Sequence, residues 1–243
     1  MNAQTIEKVK QMKLYGLERA YNQVFESGSS QGLTFDELLA ILIDAEHDDR
    51  FNRKLERYIR SANFKQKASI EQVNYHAHRN LDKNLLIKLQ RCEWIKKGRD
   101  ILLTGPTGVG KSFIACALGY HACTNEFSTI YSTANKLFDR LIYAKADGSY
   151  PKEIRKIAKC DLLIIDDFGL KPLETTSRNM LLEIIDDRHD LKSTMITSQI
   201  PLKQWFEVIG DPTVADAIMD RLVNGAYRIE IAGQSMRKMI AKQ

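Results

Sequence analysis

The chain has 243 residues, 44% hydrophobic and 28% charged, enough for one full α/β domain with a smaller appendage. Its formal net charge of +5 permits an acidic partner such as nucleic acid without demanding one. No apolar run reaches membrane-spanning length, Met1 to Lys13 carry no signal-peptide core, and the four cysteines show no CxxC spacing, so membrane, secreted and zinc-bound classes are set aside and a cytoplasmic protein with reduced thiols is expected. Residues 1–70 read as an all-helical N-terminal domain. Leu14, Leu17, Tyr21 and Val24 recur at helical spacing. Ser27-Gly28-Ser29-Ser30-Gln31-Gly32 breaks that helix, and Thr34 with Glu37 three residues on forms a capping box for the next. This second helix carries Leu38, Leu39, Leu42, Ile43 and Ala45 and extends through Arg60.

In its second half Arg50, Arg53, Arg57 and Arg60 share one face. From Arg50 to Lys67 seven basic residues, with Lys54, Lys65 and Lys67 completing the set, face a single acid, Glu56. Two readings stand side by side: a solvated helix face, or a row of contacts to a phosphate backbone, which makes all seven candidate DNA-binding residues. Residues 71–97 follow as a connecting stretch. Phe64 to Asn80 is mixed and polar and reads as a linker, with His76 and His78 as solvent-exposed bystanders. Leu81 to Lys97 is an amphipathic helix with Leu85, Leu86, Leu89 and Trp94 on its apolar side, ended by Gly98.

Residues 98–243 alternate apolar strands with helices, which predicts a parallel sheet. Gly105-Pro106-Thr107-Gly108-Val109-Gly110-Lys111-Ser112 fits G-x-x-x-x-G-K-[ST], between the strand Asp100–Thr104 and a helix opening at Phe113. The glycines let backbone N–H groups turn inward onto phosphate oxygens. Lys111 would reach the β- and γ-phosphates of ATP, and the Ser112 hydroxyl would ligate Mg²⁺. Leu162 to Ile165 ends in Asp166-Asp167, the Walker B pattern, 55 residues beyond Lys111 at its first aspartate. Asp166 would hold the metal and Asp167 would polarise the attacking water. Thr194 to Thr197 is a further strand ending in Ser198-Gln199, either of which would orient that water. Arg221, closing the helix of Val214, Ala217, Ile218 and Met219, is either a finger toward a neighbouring subunit's nucleotide or a partner of Asp216 or Asp220. Tyr227 to Ile231 alternates as an edge strand, and Arg237 follows in Gly233-Gln234-Ser235-Met236-Arg237.

These segments, in this order, resemble the DnaC/IstB group of AAA+ ATPases, and within it the IstB-type helpers of insertion-sequence transposition. Glu46 through Arg60, then Ala62-Asn63-Phe64, is similar to the group's Glu-x-x-x-Arg segment and the Ala-x-Phe after it. The resemblance implies an AAA+ P-loop domain with a five-stranded parallel sheet of order 5-1-4-3-2. It implies a homo-oligomer with ATP and Mg²⁺ at its subunit interfaces, bound to double-stranded DNA that it deforms, recruiting and stimulating an IstA-like transposase. Arg221 would be the finger in trans and Arg237 a sensor contacting nucleotide. A DnaC-like replicative helicase loader is the alternative. Two departures matter. Asp167 stands where many AAA+ enzymes have Glu, so slow hydrolysis is expected. Only 22 residues follow Arg221, so a helical lid is expected to be reduced or absent.

Overall fold

A computed structural model describes residues 3–28, 32–75 and 79–236. The chain divides into two compact units, residues 1–57 and 58–243, and the division falls within the third helix. The first unit holds α1 (Ala3–Gln11), α2 (Tyr15–Glu26) and most of α3 (Phe35–Ala62). The capping box at the start of α3 is formed: the Glu37 carboxylate accepts the Thr34 N–H at 2.7 Å, and the Thr34 hydroxyl accepts the Glu37 N–H at 3.3 Å. The residue preceding α2, Leu14, offers no side-chain cap. Glu46 on α3 does so instead, accepting the Gly16 N–H at 2.9 Å and the Leu17 N–H at 3.3 Å. Burial pushes the Glu46 carboxyl up, but Arg50 and the two N–H groups together hold it below the usual carboxylate range.

The second unit is a three-layer sandwich around five parallel strands: β1 (Ile101–Thr104), β2 (Thr129–Thr133), β3 (Leu162–Phe168), β4 (Ser193–Ser198) and β5 (Tyr227–Glu230). Their order is β2-β3-β4-β1-β5, the expected 5-1-4-3-2 read from the other edge. Successive side chains leave opposite faces of a strand, so each strand feeds two cores. Ile101, Leu103, Leu162, Ile164 and Met195 pack against α4 (Lys83–Gln90), α5 (Glu93–Lys96) and α6 (Lys111–Thr124). Leu102, Leu163, Ile165 and Ile196 pack against α7 (Ala134–Ala146), α8 (Tyr150–Lys159), α9 (Thr175–Arg188), α10 (Trp205–Ile209) and α11 (Pro212–Val223).

Three features depart from what the sequence predicts. Within the stretch Phe64 to Asn80, the described part from Phe64 to Tyr75 does not behave as a linker: a short 3₁₀ turn at Ile70–Gln72 carries Ile70, with Ala68 and Val73, into the core beneath α6. His76 and His78 lie outside the described residues. The amphipathic stretch 81–97 is two helices, because Cys92 takes a left-handed backbone (φ 53°) that ends α4 and lets Trp94 turn inward. Helices α8 and α10 have no counterpart among the predicted elements; Pro151 in its first turn and the inward Ile154 and Ile157 mark α8. All four cysteines are buried and free. No described helix is long and apolar enough to cross a membrane.

Candidate nucleotide-binding site

Strand β1 delivers the chain into residues 105–110, and α6 leaves them with its N-terminus facing the loop. Gly110 caps that helix with φ 93°, a conformation that L side chains rarely adopt. A Cβ there would also lie 2.8 Å from a guanidinium nitrogen of Arg79. Lys111 is buried, and its ammonium donates to the carbonyls of Gly105 (2.7 Å) and Pro106 (2.8 Å). Burial lowers its pKa, with Asp167 and Asp166 pulling the other way. The ammonium is thus held inside the loop, where phosphate oxygens offer it stronger partners than two neutral carbonyls.

Asp166 is fully buried at the end of β3 and gathers three hydroxyls. Ser112 donates to Oδ1 at 2.9 Å, Thr197 donates to the same oxygen, and Tyr131 donates to Oδ2. The Tyr131 phenol is driven far up by burial and by the carboxylate beside it, so it stays a donor. Register explains the set. Ile164 pairs with Met195 and both face α6, so two residues on, Asp166 and Thr197 face α6 as well. Thr197 also accepts the Asp167 N–H at 3.1 Å. Asp167 sits at an irregularity in the β3–β4 register, with a left-handed backbone (φ 56°) that turns its carboxylate toward the cleft.

The two polar residues that are alternatives for orienting water are separated by their positions. Ser198 is buried and donates to the Phe168 carbonyl at 2.8 Å, fixing the loop after β3. Gln199 lines the cleft and accepts a hydrogen bond from the Thr107 hydroxyl of the P-loop. Thr197, which its sequence marks only as a strand residue, is the one bonded to both aspartates.

The cleft has a volume of about 430 Å³, and one side of it comes from far upstream in the chain. Gln72, Asn74 and Arg79 line it together with Phe113, Gly108 and Gly110. Arg79 is buried, donating to the Val109 carbonyl and to the Asn74 carbonyl at 2.8 Å. Its Nε has no partner among the described residues. No pattern in the sequence points to this arginine. Past β5, residues 231–236 cross the loop: the Ile231 N–H donates to the Thr104 carbonyl at 2.8 Å and the Met236 N–H to the Gly108 carbonyl at 2.9 Å. Arg237 lies outside the described residues.

Arg221 is not brought to this cleft. It lines a separate depression with Arg99 and Asp100, before β1, where its Nε lies 2.7 Å from Asp186 on α9. Among the described residues its ion-pair partner is this acid, in place of Asp216 or Asp220. Of the basic row, Arg50 pairs with Glu46 (2.6 Å) and Arg53 with Asp49 (2.6 Å), acids one turn earlier that lie just outside the stretch whose charge reads as unbalanced. Arg53 also covers the Tyr15 ring at 5.2 Å. Lys54 and Arg57 share a shallow depression with Arg50, Arg53 and Lys13 in the first unit. Arg60 and Lys67 are exposed. Lys65 stands apart from the row, with its ammonium in the nucleotide cleft.

Ser112 and Asp166 offer hard oxygen donors side by side next to the P-loop, a set that suits Mg²⁺ shared with phosphate oxygens. A P-loop, a carboxylate-tipped strand beside it and a 5-1-4-3-2 sheet define an ATP-binding domain of the AAA+ architecture. The chain belongs to the IstB-like ATP binding protein family, which it matches over residues 7–243. It is 42% identical over 234 residues to a protein of Sinorhizobium fredii named as an insertion sequence ATP-binding protein, covering 96% of both chains. A counterpart in Pseudomonas fluorescens, named for insertion sequence IS1162, is 40% identical over 202 residues, 83% of this chain and 87% of that one. Among solved structures, the DnaC helicase loader superposes with a TM-score of 0.52 at 21% identity, over 72% of this chain and 99% of that one. AMPPCP-bound DnaA from Aquifex aeolicus gives 0.58 at 19% identity, over 74% of this chain and 55% of that one. At these identities the two structures speak for the fold alone.

Proposed function

We propose that this protein is an ATP-dependent helper of insertion-sequence transposition that assembles on double-stranded DNA, deforms it, and recruits and stimulates a transposase. The observation that carries the reading is the family match over nearly the whole chain, joined to a P-loop whose Ser112 touches the Walker B Asp166. ATP would be held along residues 105–112, with Lys111 as the cation for its β- and γ-phosphates and Phe113 and Arg79 on the walls of the cleft. Ser112 and Asp166 would hold Mg²⁺, which would supply neutralisation of the phosphate charge. Asp167 orients the attacking water and Thr197 fixes both carboxylates. Arg221 completes the site of a neighbouring copy, so nucleotide joins subunits. Hydrolysis is slow, since an aspartate reaches less far than a glutamate, and ATP serves assembly more than work. The basic face of α3 grips the duplex through its phosphates, reading shape more than bases.

The test is binding to matched single- and double-stranded DNA with and without ATP and Mg²⁺, with particle size followed in parallel. Duplex binding that appears with ATP together with a large assembly supports the helper. Preference for single strands, or no binding without a helicase, moves the reading to a helicase loader.

A further inference from the structure

Lys65 belongs by its sequence to a basic row, yet its ammonium lies 3.3 Å from Asp167 Oδ2 and 3.7 Å from Asp166 Oδ2. Several contacts hold it there. Asn63 ends α3 with a left-handed backbone (φ 57°), which turns the chain sharply. Phe64 then packs on Tyr131, ring centroids 6.3 Å apart, and enters a notch at Gly119, where a Cβ would lie 2.6 Å from the ring. Burial pushes the Cys116 thiol on α6 up, while the N–H groups of Gln66 and Lys65, directed at it, pull the other way. The backbone at 64–66 is therefore seated on α6, and the lysine side chain has a short path to the carboxylates.

Charge decides what this contact does. Asp166 and Asp167 are adjacent carboxylates, one of them fully buried, and such a pair requires a counter-charge. Lys111 keeps its charge and acts on both carboxylates, but its ammonium is bonded to the carbonyls of its own loop, so Lys65 is the cation in direct contact with the pair. Lys65 is half-exposed, and its ammonium donates to Asp167 from the end of a flexible four-carbon stem, so it can swing out of the cleft without moving the backbone.

We propose that Lys65 sets the metal dependence of nucleotide loading: it is the internal counter-ion of the Asp166–Asp167 pair, and a divalent cation entering with ATP must displace it. The inference rests on the cleft being the ATP site. Lys65 thus opposes metal entry, yet favours bare ATP by offsetting phosphate charge when metal is absent. The two effects have opposite sign, which a plain phosphate ligand or a structural lysine does not produce.

The experiment titrates a fluorescent ATP analogue into wild type, Lys65→Met and Lys65→Arg, in excess EDTA and across a Mg²⁺ series, and follows Mn²⁺ binding without nucleotide by electron paramagnetic resonance. Removing the positive charge that sits on both carboxylates should raise Mn²⁺ affinity and lower the Mg²⁺ needed for half-loading by about tenfold. In EDTA the Met variant should bind the analogue several-fold more weakly, and Lys65→Arg should stay near wild type in both arms. Equal weakening with and without metal, or an unchanged Mg²⁺ midpoint and Mn²⁺ affinity, overturns the proposal. Lys111→Ala is run beside them: if it binds the analogue as wild type does, the assignment of the cleft has failed, which is a separate result.

Discussion

Around Asp166 the distinction between two neighbouring hydroxyls has a kinetic consequence. Thr197 bonds the Asp166 carboxylate and the backbone of Asp167, whereas Ser198 fixes the Phe168 carbonyl. Thr197→Val should lower ATP turnover by about ten- to a hundredfold, the usual range for losing a supporting hydrogen bond at a metal site, while Ser198→Ala keeps turnover within about threefold. Single-turnover hydrolysis of both variants checks this. Asp167→Asn should block turnover and preserve ATP-dependent DNA binding; loss of binding would show that hydrolysis, and not the bound nucleotide, drives assembly. A third residue governs pH dependence. Burial pushes the Asp100 carboxyl up to about 7, against the Thr194 N–H and Arg188. A carboxyl with a folded pKa above its unfolded value of about 3.9 holds its proton more tightly when folded. Its contribution is therefore full below about pH 4 and is lost as pH rises from about 4 to 7. Urea unfolding at about pH 5 and about pH 8 should show this slope in wild type and a flatter one in Asp100→Asn, whose stability relative to wild type rises at the higher pH.

At the scale of elements, α6 is more tightly constrained than its helical propensity suggests. Gly119 costs the helix roughly 1 kcal/mol against alanine, yet Phe64 and Ile164 occupy the space a methyl would need. Gly119→Ala should destabilise the fold by about 1–2 kcal/mol, and Phe64→Leu in the same chain should recover part of it, a coupling read from a double-mutant cycle by chemical denaturation. The same helix shows what is legible in advance. The P-loop and the Asp166–Asp167 pair are each an unbroken motif in the sequence, and their chemistry follows from residue type and spacing alone. Thr197 needs the register between β3 and β4, which decides which hydroxyl of Thr-Ser faces α6. Lys65 and Arg79 come from a stretch whose polar composition hides three core residues, Ala68, Ile70 and Val73. Their approach to the loop depends on tertiary packing that no local pattern encodes. The strand order is legible because the strand–helix alternation survives as apolar runs; α8 is not, its first turn being opened by a proline in a polar stretch.

For the whole molecule the net charge of +5 is spread unevenly in its effect. Arg50 and Arg53 are tied to Glu46 and Asp49, so their removal should loosen the first unit as well as weaken any DNA contact. Lys54→Glu with Arg57→Glu should also lower duplex affinity, and the slope of log affinity against log salt should fall by about one for each phosphate no longer engaged. An unchanged slope would remove this face from the DNA-binding surface. A last consequence follows from the four cysteines, each buried in the folded chain. The thiolate is the reactive form, and burial pushes Cys92 and Cys123 up to about 11, so alkylation must wait for the protein to open. Cys160, which caps the end of α8, is held by Arg188 and the Ile157 carbonyl, while Cys116 lies under residues 64–66. Labelling rates at these two sites are therefore two clocks running in the unaltered protein, one for opening around α8 and one for the segment that carries Lys65 lifting away from α6.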